Sequence, residues 1–260
     1  MFKKFIVVLL ILSMIMVASG CNKKDTTTFQ LIKDKGELTF AMTGAYPPFN
    51  YIDKDGNLTG FDIEIANAIA EKMNVKAVPI TTAWDGIIGG LLGKRFDMII
   101  GSMAITEERL EQVNFTNPYY YDGAQFFAKS GSGFDSIYTL ESGKVGVVTG
   151  TTFHEFLNDL DNIDEILQFD SDVDNFKSVE QGRIDGLVTG KFVGLEAPNK
   201  YNVDIEPIGS LLYSEDIAIA IRKEDTALLE AVNNALNEIV EDGTYEEISL
   251  KYFGVNILQK

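Results

Sequence analysis

The chain has one cysteine, one histidine and one tryptophan in 260 residues. A single cysteine excludes an internal disulfide, and a single histidine, His154, leaves no metal-ligand or Ser-His-Asp spacing to read. No phosphate-cradling glycine loop is spelled either. Basic residues are scarce, with 22 Lys and Arg against 39 Asp and Glu. Such a surface excludes nucleic acid as a partner, because that affinity rests on basic contacts with phosphates. Long hydrophobic runs are nearly absent: after Val17 no segment is long enough to span a bilayer. The rest of the chain is therefore expected to be a folded, acidic body and not an integral membrane protein.

The one long apolar run lies at the start. Lys3 and Lys4 precede Phe5–Val17, and small residues Ala18-Ser19-Gly20 lead to Cys21. A charged segment, an apolar core and a small-residue cleavage site make residues 1–20 an expected export signal. The only cysteine falls directly after that site, an arrangement that resembles a bacterial lipobox, although Ala18 stands where leucine is commoner. The resemblance makes Cys21 a lipid-bearing N-terminus, 21–35 a tether and the membrane a partner through that lipid. Without Lys3 and Lys4 the balance is 20 basic against 39 acidic residues, a net charge of −19. About 240 residues remain, enough for two lobes.

Strand-like and helix-like segments alternate along those residues, the pattern of an α/β fold. Gly36–Met42 reads as a strand, and the Tyr46–Phe49 turn is stiffened by Pro47 and Pro48. A helix follows Gly60, with Ile63, Ala66, Ile69, Ala70 and Met73 on one face. Trp84-Asp85 opens another helix. The stretch Asp97–Tyr121 carries the strongest functional signal. Met98-Ile99-Ile100 is a continuous apolar run, as a strand covered on both faces requires. Gly101 and Ser102 then remove bulk, so that a ligand can approach the backbone. Thr106 is placed to cap a short helix that presents Arg109. Open α/β sheets bind ligands beyond the carboxyl ends of their strands, and this stretch describes such an edge. An ordinary surface arginine on a β-to-α crossover fits the spacing equally well.

Ser130-Gly131-Ser132-Gly133 reads as a hinge or linker, after which the alternation restarts. Lys144–Val148 is an expected strand, Thr149–Thr152 a turn into a helix, Val173–Gln181 a helix and Ile184–Val188 a strand. Two further strands are expected at Val203–Ile208 and Leu211–Ile221, with helices Asp225–Val240 and Tyr245–Tyr252 closing the chain. A basic turn, an aspartate and an apolar strand occur twice, at Gly93–Gly101 and Gly182–Thr189. Two similar lobes would explain that echo.

Seven strings carry a resemblance in the same order: YPPF (Tyr46–Phe49), GFDIEIANAIA (Gly60–Ala70), WDGII (Trp84–Ile88), ITEER (Ile105–Arg109), FTNPYY (Phe115–Tyr120), VGVVTGTT (Val145–Thr152) and DGTYEEISLKYFG (Asp242–Gly254). Together they resemble the family 3 extracellular solute-binding proteins that serve amino-acid ABC importers. The resemblance implies a two-lobed periplasmic-binding-protein fold of type II, with lobe one at 36–125 and 217–260 and lobe two at 126–216. It implies capture of an amino acid or related small carboxylate between the lobes, an ABC permease as partner, and a monomer without cofactor.

Residue by residue, the resemblance gives Arg109 the ligand's carboxylate, completed by the N–H groups of Ser102 and Thr152 in the Gly101-Ser102 and Thr151-Thr152 turns. Tyr46 and Trp84 match positions that flank the ligand side chain. Two departures concern the amine. Ala104 stands where the family places a Ser, Thr or Asp, and Gly190 where it places an aspartate. The resemblance thus implies retained carboxylate recognition with altered amine recognition. An enzyme on the same fold, as in a dehydratase, lacks its expected acid near Gly190, and His154 reads as an exposed helical residue. A sensor module that signals to a membrane partner is the other alternative.

Overall fold

The computed structural model describes residues 26–140 and 142–259. The export signal and the lipidation position Cys21 lie outside the described residues. The stretch expected as a tether is helical in its second part: α1 (Thr28–Lys35) is capped by Thr27, whose side chain accepts from the Gln30 N–H. It is docked, with Ile32 buried and Thr28 Oγ1 donating to Asp225 Oδ1 at 2.5 Å.

The fold is mixed α/β, with two lobes built on a sheet of nine strands. One lobe contains β1 (Glu37–Met42), β5 (Lys76–Thr81) and β6 (Met98–Ala104), and the other β9 (Lys144–Val148), β10 (Glu165–Phe169) and β11 (Gly186–Gly190). Between them run two long antiparallel strands, β8 (Tyr120–Lys129) and β12 (Ile205–Arg222), in the order β10-β9-β11-β8-β12-β6-β1-β5. Short β7 (Val113–Phe115) pairs with β12, and β2 (Ala45–Tyr46), β3 (Asn50–Ile52) and β4 (Leu58–Thr59) form a separate small sheet. The parallel pairs β1–β5, β1–β6, β9–β10 and β9–β11 are the ladders expected of crossover units covered by helices.

Helices α2 (Phe61–Lys72), α3 (Ile87–Leu92) and α4 (Glu107–Gln112) belong to the first lobe, and α5 (Thr152–Asn158), α6 (Asp172–Glu180) and α7 (Lys191–Tyr201) to the second. The closing helices α8 (Thr226–Glu241) and α9 (Thr244–Phe253) return to pack on α2. Ile65, Ala66, Ile69 and Ala70 of α2 are buried with Leu228, Val232 and Leu236 of α8 in one apolar cluster. Among the described residues no helix is long and apolar enough to cross a membrane.

Two readings of the sequence change. The segments Val203–Ile208 and Leu211–Ile221 are one strand, β12, whose pairing with β8 slips between Ile208 and Tyr213. Gly209, with φ +69°, interrupts the sequence pattern there without ending the strand. The Ser130–Gly133 stretch is a turn beyond β8, in contact with Asp204 and Glu206, and the passage between lobes runs through β8 and β12 instead. The internal echo has a physical basis. Asp97 Oδ2 accepts from Thr39 N and Oγ1 on β1, and Asp185 Oδ2 accepts from Lys144 N on β9. Each aspartate ties the start of its strand to a neighbour.

Candidate functional site

A cavity between the two lobes gathers most of the residues singled out from sequence. The first lobe contributes Tyr46, Trp84, Gly101, Ser102, Ala104 and Arg109, and the second Thr151 and Thr152. Gly190 does not line it. The hydroxyl of Tyr46 fills the space that a side chain at Gly190 would take, 2.6 Å from an ideal Cβ, and Asp122 Oδ2 lies 2.8 Å from the same point.

Arg109 is presented as the local sequence demands. Thr106 caps α4 by accepting from the Arg109 N–H at 3.1 Å, which fixes the first turn. The guanidinium Nη1 donates to the Ala104 carbonyl at 2.9 Å, and Arg109 Cζ lies 5.6 Å from the centre of the Trp84 ring. The side chain is 9% exposed. Burial works against its charge, while Glu215, Glu155 and Glu108 support it. Trp84 also reaches the facing lobe, its Nε1–H donating to the Gly150 carbonyl at 3.0 Å.

Ser102 sits at φ +62°, a region that non-glycine residues seldom adopt, where the β6–β12 ladder is interrupted. The expected use of its N–H toward a carboxylate is not the observed one. That N–H donates to Tyr119 Oη at 3.1 Å, and Ser102 Oγ donates to Asp62 Oδ2 at 3.2 Å. Asp62 is fully buried and also accepts from Tyr119 Oη and Asn50 Nδ2. This network fixes the bulge from behind. Gly101 is required by packing as much as by access, since a Cβ there would lie 3.0 Å from Met42 Cβ on β1.

Across the cavity, Thr151 caps α5, accepting from the His154 N–H at 3.2 Å. The N–H of Thr152 opens the first turn, whose donors have no partners within a helix. Thr152 Oγ1 donates to Glu215 Oε1 at 2.5 Å. Sequence reasoning missed the acidic wall. Asp170, Asp172 and Glu215 line the cavity, and Asp172 and Glu215 are 4% and 9% exposed. The signal for Glu215 was a polar break, Ser214-Glu215-Asp216, inside an apolar strand. Asp172 carried none, because an acid in the first turn of a helix is ordinary.

The buried carboxyls titrate late. Burial pushes Asp122 and Asp172 up to about 7 and Asp62 up to about 6, from an ordinary 3.8, and it raises Glu215 as well. A group that binds its proton more tightly when folded adds stability below its unfolded value and loses it as pH rises through the folded one. Thermal unfolding of the unliganded protein is therefore expected to move to lower temperature between pH 5 and pH 8. The slope approaches about 1.4 kcal/mol per pH unit for each proton that separates the two states. Asp242, pulled down to about 2 by Lys72 and Thr244, has the opposite sign but acts below this window. A melting temperature that is flat or rises from pH 5 to pH 8 would contradict these burials.

Known proteins share this sequence pattern and this fold. The family model for bacterial extracellular solute-binding proteins, family 3, matches residues 38–255. The L-cystine-binding protein TcyJ of Escherichia coli K12 is 32% identical over 228 residues, covering 87% of this chain and 86% of its own. The ABC transporter arginine-binding protein 1 of the same strain is 33% identical, covering 84% and 90%. Among solved structures, a mutant of ArgBP from T. maritima superposes with a TM-score of 0.82 at 34% identity, covering 87% of this chain and 99% of that one. A match over nearly the whole folded body, in sequence and in shape, places the chain among the bacterial extracellular solute-binding proteins of family 3.

Proposed function

We propose that the chain is the substrate-binding lipoprotein of an ABC importer, which captures an amino acid or related small carboxylate by closure of two lobes. The lobes correspond to 36–125 with 217–260 and to 126–216, and Cys21 carries the lipid that holds the protein outside the cell membrane. The observation that supports this reading best is Arg109, a buried cation on the wall of a cavity whose opposite side holds the open N-terminal turn at Thr152. A carboxylate lying between them touches both lobes at once. A ligand stabilises a closed form only through such differential contacts. Planar, fixed donors suit Arg109 to a two-oxygen partner.

The amine side is built differently from the expected pattern, since Ala104 and Gly190 supply no acceptor side chain. Glu215, held by Thr152 beside Arg109, takes that part. Both named relatives are binding proteins, which supports a binding role over an enzymatic one. One solved neighbour is an ancestral amino acid-binding protein described as a precursor of cyclohexadienyl dehydratase, so the fold stands close to an enzyme lineage. The test is a thermal-shift screen of the common L-amino acids together with their deaminated carboxylates. At least one amino acid is expected to raise the melting temperature in a concentration-dependent way. No shift with any member of either set would overturn the proposal.

A further inference from the structure

The charges around the cavity do not balance for an ordinary zwitterion. Among the described residues lining it, Arg109 is the one Lys or Arg, and it is buried with two buried acids, Glu215 and Asp172. Glu215 is matched: it accepts from Thr152 Oγ1 and lies in the field of Arg109. Asp172 is not. The acids that act on Arg109 are Glu215, Glu155 and Glu108, and no described Lys or Arg pairs with Asp172. A zwitterion adds no net charge, so Asp172 then either keeps its proton or stands as an uncompensated carboxylate, a costly arrangement in a low-dielectric site. A ligand with one additional positive charge removes the excess.

The surroundings of Asp172 point the same way. Asp172 lies against the side chains of Thr189 and Asn175, which ease the burial of its carboxyl, yet Asp172 Oδ1 and the Asn175 amide are buried without a well-placed hydrogen-bond partner. Native interiors rarely leave such a group of polar atoms unsatisfied together. The Tyr46 ring adds an aromatic surface whose hydroxyl lies in the field of Asp172. Burial of the Asp172 carboxyl raises its proton affinity, as expected of an acid that lacks a cation.

We infer that Asp172 is the specificity-determining residue for a second cationic group on the ligand, an ammonium or guanidinium at the end of its side chain. The preferred ligand is then a diamino or guanidino carboxylic acid. This inference rests on the amino-acid reading above and adds to it the charge of the side chain and the residue that selects it.

Trp84, the only tryptophan of the chain, lines the cavity and serves as a fluorescence reporter. The full chain is titrated with two pairs that differ mainly in side-chain charge, L-arginine against L-citrulline and L-lysine against L-norleucine. The cationic member is expected to bind at least about tenfold more tightly in one pair or both. Asp172→Asn, checked for folding by its melting temperature, is expected to bring the members of each pair within about threefold of each other. Neutral members that bind as tightly as cationic ones in the wild type would overturn the inference alone, and that comparison needs no variant. So would a preference that survives in Asp172→Asn. Binding of none of the four overturns the inference, and the thermal-shift screen then decides separately whether the amino-acid reading fails with it.

Discussion

Arg109→Ala is expected to weaken amino-acid binding by roughly 30- to 4,000-fold, the equivalent of about 2–5 kcal/mol for removing one partner of a buried charge pair. The size follows from what remains. Glu215 and Asp172 stay in the cavity wall, and no other described Lys or Arg lines it. The ligand's carboxylate would then enter a site of its own sign. Arg109→Lys is expected to recover only part of the loss. An ammonium can keep the hydrogen bond to the Ala104 carbonyl or turn to the ligand, whereas the guanidinium fork does both while lying by Trp84. Isothermal titration of the best-binding amino acid, with melting temperatures as a folding control, reads both effects. An Arg109→Ala affinity within threefold of the wild type would remove Arg109 from the binding site.

Local rules placed Arg109 at a sheet edge, while the family resemblance and not the spacing set it apart from a surface arginine. Thr106 spells a helix cap, Glu107 and Glu108 suit the first turn, and the preceding apolar strand sets a sheet edge. Thr151 was legible for a similar reason, as a helix cap, whereas Trp84, expected to open a helix, lies in the turn before Gly86, the N-cap of α3. The acidic wall was not. Glu215 lies on a strand whose two ends serve different lobes, and its meeting with Thr152 joins positions 63 residues apart. Asp172 has the local signature of any acid at a helix start, and only the packing of α6 against β9 and β11 buries it beside Thr189. Ser102 shows the limit at the level of single atoms. Its place at the cavity edge follows from the strand, but the direction of its N–H depends on Tyr119, and no local pattern contains that.

Gly190 offers the most direct test of lobe closure. Because an acid there belongs to the expected family pattern, Gly190→Asp looks like a repair of amine recognition. The expected result is the reverse, a loss of affinity. The Tyr46 hydroxyl lies 2.6 Å from the ideal Cβ position and Asp122 Oδ2 lies 2.8 Å away, both nearer than real Cβ contacts allow. Tyr46 is on β2 of the first lobe and Gly190 ends β11 of the second, so the approach exists only when the lobes are together. Overpacking of this kind costs about 1–3 kcal/mol. The Tyr46 part is confined to the closed form and so lowers affinity roughly 5- to 150-fold, whereas Asp122, on the strand that pairs with Gly190, is met in either form. An added carboxylate beside Asp122 acts in the same direction. Gly190→Ala separates the two causes, because it introduces the steric overlap without the charge. Combining it with Tyr46→Phe removes the oxygen in conflict and should return part of the affinity, giving a coupling of about 0.5–3 kcal/mol in a double-mutant cycle. Gly190→Asp binding as tightly as the wild type would show that Tyr46 and Gly190 do not meet when the ligand is bound.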